Sequence, residues 1–375
     1  MVTIDIVFAH ELCLVKATNV LLLLGHITFA FGKSIIALNI AYLLTVKAET
    51  RMRENVTPLS ENCLNALTCN KIMNRTFLPL ICIIVFLFVG CSETDTVIVV
   101  DKDYGKGSNS ANENALTLEH NGLNREYVLF VPSAYDSATP LPLLFNFHGF
   151  GGNASEYMAY ADMRTLAESE NFILVYPQGS NLDGSPHWNT CPNGGDNKSN
   201  ADDFGFIAAL VIELSGIYSI DQNRIYAAGY SNGGMMAYGL ANYKSEIFAA
   251  VASVSGTMLD CTATPAHPIP VIHLHGTADD TLPYNGNNYF NGTQTVLNHW
   301  IAFNNTNRSP TVTSDTSGSM NIERYVYDQG DSGAKVVHYK YIAGGHDWFT
   351  ASYQGQDTAT LIWNFVSQYD INGLR

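Results

Sequence analysis

Gly229-Tyr230-Ser231-Asn232-Gly233 sets one hydroxyl midway between two glycines. That spacing suits a sharp strand-to-helix turn that lifts a serine Oγ clear of the backbone. Side chains at 229 and 233 would collide in so tight a turn, and the serine itself must take a strained conformation. The turn aims the Asn232 N–H and the dipole of the next helix at the place where an oxyanion would form. A serine hydroxyl is a weak nucleophile by itself. It needs a base, usually a histidine, and a carboxylate to orient that base. The chemistry in view is acyl transfer.

The base and its carboxylate should follow the serine in chain order, in loops after later strands. The run 335–341 reads as a strand and leads into Gly344-Gly345-His346-Asp347-Trp348, which nominates His346 as the base. The run 269–275 leads into Gly276-Thr277-Ala278-Asp279-Asp280, and chemistry alone does not separate Asp279 from Asp280. Asp347 adjoins His346 in sequence and points elsewhere. His273 and His275 fall in and at the end of an apolar run and read as structural. A second oxyanion donor is expected in the loop His148-Gly149-Phe150-Gly151-Gly152-Asn153, from the Phe150 N–H, with His148 holding the loop.

Elements that could position these residues are legible from 116 onward. Asn121-Gly122 between 116–119 and 125–131 signals a hairpin. Buried strand runs are expected at 141–148, 172–176, 224–228, 249–254 and 269–275, with further strands at 322–327 and 335–341. Helical spacing is expected over 155–171 with Ser155 as its cap, and over 203–218, 233–243, 293–304 and 358–369. The stretch 306–334 reads as loop-rich around its one strand. The pattern predicts an α/β fold: a doubly wound, mostly parallel sheet with an antiparallel N-terminal hairpin and no large lid. One catalytic domain should occupy 116–372.

The chain before that domain reads differently. Residues 73–91 run from Met73 and Arg75 through an apolar stretch to Gly90-Cys91, the layout of a bacterial lipoprotein signal peptide with Cys91 as the lipidated residue. Residues 1–72 are then either upstream of the true translation start or carry a membrane segment in 19–46. Residues 92–115 are polar and read as a tether.

Hydrophobic residues make up 46% of the 375, and 34 acidic against 19 basic side chains give a net charge of −15. Such a surface repels nucleic acid and suits a neutral ester. An exported domain would let Cys191 and Cys261 pair.

These blocks occur together and in order with Ala201-Asp202-Asp203-Phe204-Gly205-Phe206-Ile207 and Gly233-Gly234-Met235. Over about 116–370 the sequence resembles the polyhydroxybutyrate depolymerase-like esterases, which include feruloyl and acetylxylan esterases. The resemblance implies an α/β-hydrolase fold without a lid, no cofactor or metal, and ester hydrolysis through an acyl-enzyme on Ser231, Asp279 and His346. It favours Asp279 over Asp280 and supports a Cys191–Cys261 disulfide near the pocket rim. It implies that Trp188 and Trp348, with Tyr230, line the substrate groove. Phe150 and Asp347 depart from the residues usual at those places, which bears on the choice of substrate. The substrate implied is a feruloyl or acetyl ester on a polysaccharide, with hydroxyalkanoate oligoesters second. The rival of another class is a non-catalytic, glycan-binding surface lipoprotein. Any membrane contact should run through a lipid anchor or the N-terminal segment.

Overall fold

Asn121 and Gly122 both adopt positive φ, 51° and 77°, as the turn of a two-residue hairpin requires. They join β1 (Leu116–His120) to β2 (Leu123–Phe130), with Leu116 opposite Tyr127 and His120 opposite Leu123. The computed structural model describes residues 115–192 and 198–375. The expectations for 1–72, for the signal at 73–91 with Cys91, and for the tether up to 114 lie outside the described residues.

The remaining elements follow in order. They are β3 (Leu141–Phe147), α1 (Ala154–Tyr160), α2 (Arg164–Glu170), β4 (Ile173–Pro177), β5 (Ser180–Leu182) and β6 (Ser185–His187). Next come α3 (Asp203–Ile217), β7 (Ile220–Tyr230), α4 (Asn232–Tyr243), β8 (Ala250–Val254), β9 (Val271–Gly276) and α5 (Thr293–Phe303). The last are β10 (Thr311–Ser317), β11 (Met320–Tyr327), β12 (Val336–Tyr341), α6 (Thr358–Val366), β13 (Tyr369–Asp370) and β14 (Gly373–Leu374).

Ten strands form one sheet in the order β1-β2-β4-β3-β7-β8-β9-β12-β11-β10. The strands from β4 to β12 in that order run parallel, and both flanks are antiparallel. This is the doubly wound α/β architecture of the hydrolase type.

The central strands are apolar on both faces because both are covered. On β3, Leu143, Phe145 and Phe147 belong to a core that includes Phe206 and Leu210 of α3, Met236 and Leu240 of α4, and Trp300 of α5. Leu144, between them, belongs to the other core, with Met158 of α1 and Leu361, Ile362 and Phe365 of α6. The period of two along the strand thus divides six helices into two layers.

The segment expected as one helix over 155–171 is two. Asn153, not Ser155, caps α1, its side chain accepting from the N–H groups of Ser155 and Glu156. The break falls at residues 161–163. There the buried Tyr176 hydroxyl donates to the Ala161 carbonyl at 2.8 Å and accepts from the Met163 N–H at 3.0 Å. Asp162 then caps the Arg164 N–H at 2.9 Å. A buried tyrosine supplying the interrupted backbone bonds is a tertiary event, which helical spacing does not record. The strand β10, within the stretch read as loop, is a polar edge strand paired to β11. Its sequence Thr-Val-Thr-Ser-Asp-Thr-Ser offers almost nothing to a core.

Candidate active site

Ser231 follows β7 and caps α4 at φ 55°, ψ −120°, a conformation that an L-residue holds only when its surroundings demand it. The two glycines are needed for steric reasons. A Cβ at Gly229 would lie 2.3 Å from the Gly233 carbonyl oxygen, and one at Gly233 would lie 2.0 Å from that of Phe147. The Ser231 N–H is tied to the Val254 carbonyl of the adjacent β8 at 2.9 Å.

Sheet order brings the rest together. β9 and β12 are parallel neighbours, with Lys340 opposite His275 and Tyr341 opposite Gly276. Their C-terminal loops therefore emerge side by side, on the same end of the sheet as Ser231. Gly276 permits the contact, since a Cβ there would meet the Gly344 carbonyl oxygen at 2.2 Å. The Ala278 N–H reaches that same carbonyl at 2.8 Å.

Across these loops, His346 Nε2 accepts from the Ser231 hydroxyl at 2.9 Å, and His346 Nδ1–H donates to Asp279 Oδ2 at 2.7 Å. The hydrogen-bond partners assign that tautomer. Asp279 is the carboxylate in contact, and Asp280 is exposed. Oδ1 of Asp279 accepts from the backbone of Thr281 at 2.9 Å and of Leu282 at 2.8 Å. Burial alone would raise its pKa. The hydrogen bonds from His275, His346 and Leu282 outweigh burial and hold the carboxyl well below the usual carboxylate range.

The loop after β3 lies against the serine. A Cβ on Gly149 would sit 3.3 Å from that of Ser231. His148 fixes this loop. Its Nδ1–H donates to the Gly149 carbonyl at 2.6 Å, and its Nε2 accepts from the Gly179 N–H at 2.9 Å. Burial pushes its pKa down to about 4, so the ring serves as a neutral donor and acceptor. Gly151, at φ 76°, donates its N–H to the Pro186 carbonyl at 2.7 Å. Among the described residues, the N–H groups of Phe150 and Asn232 have no acceptor within the protein. Asn232 heads α4, where such groups have no intrahelical partner.

The Asn232 side chain has a role the sequence did not suggest. Its Oδ1 accepts from the Trp188 N–H at 2.7 Å and its Nδ2 donates to the Trp188 carbonyl at 3.2 Å. Trp188 Nε1 in turn donates to the His148 carbonyl at 3.0 Å. Trp188 is thus 2% exposed and packs edge-on against Phe147 beneath the loop. Trp348 is 6% exposed and packs against Tyr157. Both tryptophans belong to the core rather than to an open groove, because each ring has apolar or backbone partners on the inside.

Tyr230 does face the open cavity beside the serine, a space of about 210 Å³ lined by Phe150, Glu156, Tyr157, Tyr160 and Tyr230 around the Gly149 backbone. Tyr157 and Tyr160 were missed, since on α1 they look like ordinary apolar spacing. Tyr160 donates its hydroxyl to the Asp347 carboxylate and accepts from the Trp348 N–H at 2.9 Å. Burial, then that bond to Asp347, push its pKa up to about 12. Tyr230 OH donates to the His346 carbonyl at 3.0 Å, so one wall of the cavity also steadies the histidine loop. Cys191 and Cys261 form a disulfide, bonding the segment after Trp188 to the loop after β8. Among the described residues, no group of three or more His, Cys, Asp or Glu side chains could hold a metal ion.

Residues 125–281 match the family model described as Esterase PHB depolymerase. The chain is 30% identical over 255 residues to "Putative esterase NocK" of Nocardia uniformis subsp. tsuyamanensis, covering 60% of this chain and 71% of that protein. The chain belongs to this esterase family. Other relatives of this esterase carry more specific names. "Bifunctional acetylxylan esterase/xylanase XynS20E" of Neocallimastix patriciarum is 28% identical over 253 residues, 67% of this chain. The chain spans only 34% of that longer protein. "Feruloyl esterase C" of Emericella nidulans is 29% identical over 234 residues, 60% of this chain and 79% of that one. The solved structure of an acetyl xylan esterase from Aspergillus awamori aligns with a TM-score of 0.51 at 16% identity, covering 68% of this chain and 99% of that one. That likeness supports the fold of the esterase.

Proposed function

We propose that the protein is an exported serine esterase that hydrolyses feruloyl or acetyl esters on polysaccharide through an acyl-enzyme. The observation that carries this reading is the unbroken relay from Ser231 Oγ through His346 to Asp279, at 2.9 and 2.7 Å, on a strained turn between adjacent strands. Ser231 attacks the ester carbonyl carbon as His346 Nε2 takes its proton. The free N–H groups of Phe150 and Asn232 stabilise the oxyanion. The tetrahedral intermediate collapses and the C–O bond to the alcohol breaks, with His346 returning the proton to the departing oxygen. Water then repeats the sequence on the acyl-serine, releasing the acid. Asp279 keeps the imidazole in the Nδ1–H tautomer and stabilises its cation.

The open cavity of about 210 Å³ against the Gly149 loop, lined by three tyrosines, a phenylalanine and Glu156, would suit a planar aromatic group of the substrate. The Cys191–Cys261 disulfide supports an oxidising compartment.

The test is hydrolysis by the full chain and by Ser231→Ala. The substrates are p-nitrophenyl acetate, methyl ferulate, acetylated xylan and a hydroxybutyrate oligomer. The expected outcome is activity on methyl ferulate and acetyl esters that Ser231→Ala abolishes. Preference for the oligomer would move the substrate to hydroxyalkanoates. Equal activity in the variant, or none on any ester, would overturn the serine mechanism.

A further inference from the structure

Asp279 holds a second histidine. His275, the penultimate residue of β9, lies with Nε2 3.1 Å from Asp279 Oδ2, the same oxygen that receives His346 Nδ1–H. The same Nε2 lies 2.8 Å from the Leu282 carbonyl. A carboxylate and a carbonyl both only accept, so the proton of His275 sits on Nε2 and is shared between them. Its Nδ1 is buried and has no hydrogen-bond partner. The ring is 2% exposed and stacks on His273 at 5.2 Å between centroids, and His273 in turn lies 5.4 Å from His338. His148 and His338 use both ring nitrogens, whereas His275, like the buried His187, leaves Nδ1 unpartnered. What sets His275 apart is that its one donor faces the carboxylate and the turn that presents it.

We infer that His275 is a positioning residue for the esterase, acting through Asp279. This rests on the serine mechanism proposed above. The second N–H fixes Oδ2 in the line of His346 Nδ1, and its tie to Leu282 locks the Asp279–Leu282 turn. The Tyr230 ring also faces His346, at 5.0 Å. The groups facing His275 are Asp279, His273 and Tyr284, with His338 behind His273.

The test compares His275→Gln with His275→Asn in the full chain. The glutamine amide reaches about as far as imidazole Nε2 and can donate to Oδ2. The asparagine amide ends where Nδ1 lies, and no acceptor waits there. In His275→Asn, kcat on p-nitrophenyl acetate should fall about tenfold, with KM unchanged. His275→Gln should restore the rate. An unchanged kcat in His275→Asn would overturn the inference, as would a loss of kcat that glutamine fails to repair. If neither variant folds, ¹⁵N spectra of the unsubstituted protein decide, because the inference requires His275 to carry its proton on Nε2 and not on Nδ1. Ser231→Ala is run alongside. Activity surviving in that variant would sink the serine mechanism itself, whereas a dead Ser231→Ala with an unchanged kcat in His275→Asn would sink only the role of His275.

Discussion

Oδ2 of Asp279 faces two ring N–H donors, and Oδ1 faces two backbone N–H donors. Every one of those contacts needs an acceptor. In Asp279→Asn one of the two positions becomes an amide N–H₂ facing other donors. His346 would then turn or take the wrong tautomer, leaving no lone pair toward Ser231. The expected loss in kcat on methyl ferulate is about 10³- to 10⁴-fold. Circular dichroism should show an intact fold, and a rate within tenfold of the parent would refute the orienting role. Much of this residue-scale chemistry was legible in the sequence. Ser231 and His346 stand in short glycine-bearing blocks whose geometry is local. Asp279 and Asp280 were not separable in that way, because the choice depends on which side chain the turn directs inward. His275, Tyr160 and the Asn232 side chain were illegible for a related reason. Their partners lie 4, 187 and 44 residues away in sequence, and even the shortest of these separations is bridged by a turn whose shape the sequence does not state.

At the scale of elements, the β7–α4 junction leaves no room for added atoms at either of its glycines. A Cβ at Gly233 would lie 2.0 Å from a backbone oxygen of β3, so an added methyl group cannot be absorbed by a side-chain rotation. Gly233→Ala should cost several kcal/mol, about 3 or more by the scale of overpacked cores. It should also push β3 and the loop after it away from Ser231. Soluble yield and melting temperature should both drop, and normal values would show that the turn is looser than described. The disulfide acts at the same scale. It closes a separation of 70 residues and anchors the segment whose Trp188 backbone holds Asn232. Cys261→Ser should lower stability by about 3 kcal/mol, read as a lower melting temperature that reducing agent no longer changes. If reductant lowered the melting temperature of the parent and the variant alike, the bond would not be the cause. Element types were readable where burial is two-sided, as in β3, β8 and β9. Boundaries failed where a distant group intervenes, as Tyr176 does between α1 and α2. The β5–β6 hairpin did carry a usable signal in Asp183-Gly184, both at positive φ. The polar edge strand β10 carried little signal of any kind.

For the described fold as a whole, order along the chain conveyed the architecture but not the neighbours. Nothing in the spacing says that β4 lies outside β3, or that β12 lies against β9. Yet those adjacencies bring three loops to one end and a row of histidines into the interior. That interior row has a consequence for stability. Burial holds His148 down at about 4 and His338 at about 3, and keeps His273 well below its ordinary value. In the unfolded chain each would titrate near 6.5. Between those limits the unfolded chain binds protons that the folded one refuses, so stability falls as pH falls. The contribution is fully present above pH 6.5 and is lost progressively toward pH 4. At pH 5 the loss amounts to roughly 2 kcal/mol each for His148 and His338, and His273 adds to it in the same direction. Asp279, held below its ordinary range, works in a separate window, since its contribution is lost only below pH 3.8. The net charge of −15 acts in the opposite sense, because partial neutralisation in acid relieves self-repulsion. At physiological salt the screening length is about 8 Å, which leaves dispersed surface charges too weak to offset three buried imidazoles. The melting temperature should therefore drop by on the order of 10 °C between pH 7 and pH 5. Most of that drop should come below pH 6.5, and it should persist at high salt. A melting temperature that is flat or rising over this interval would mean that these rings accept protons in the folded state. The loop held by His148 beside Ser231 would then be less firmly fixed than its hydrogen bonds imply.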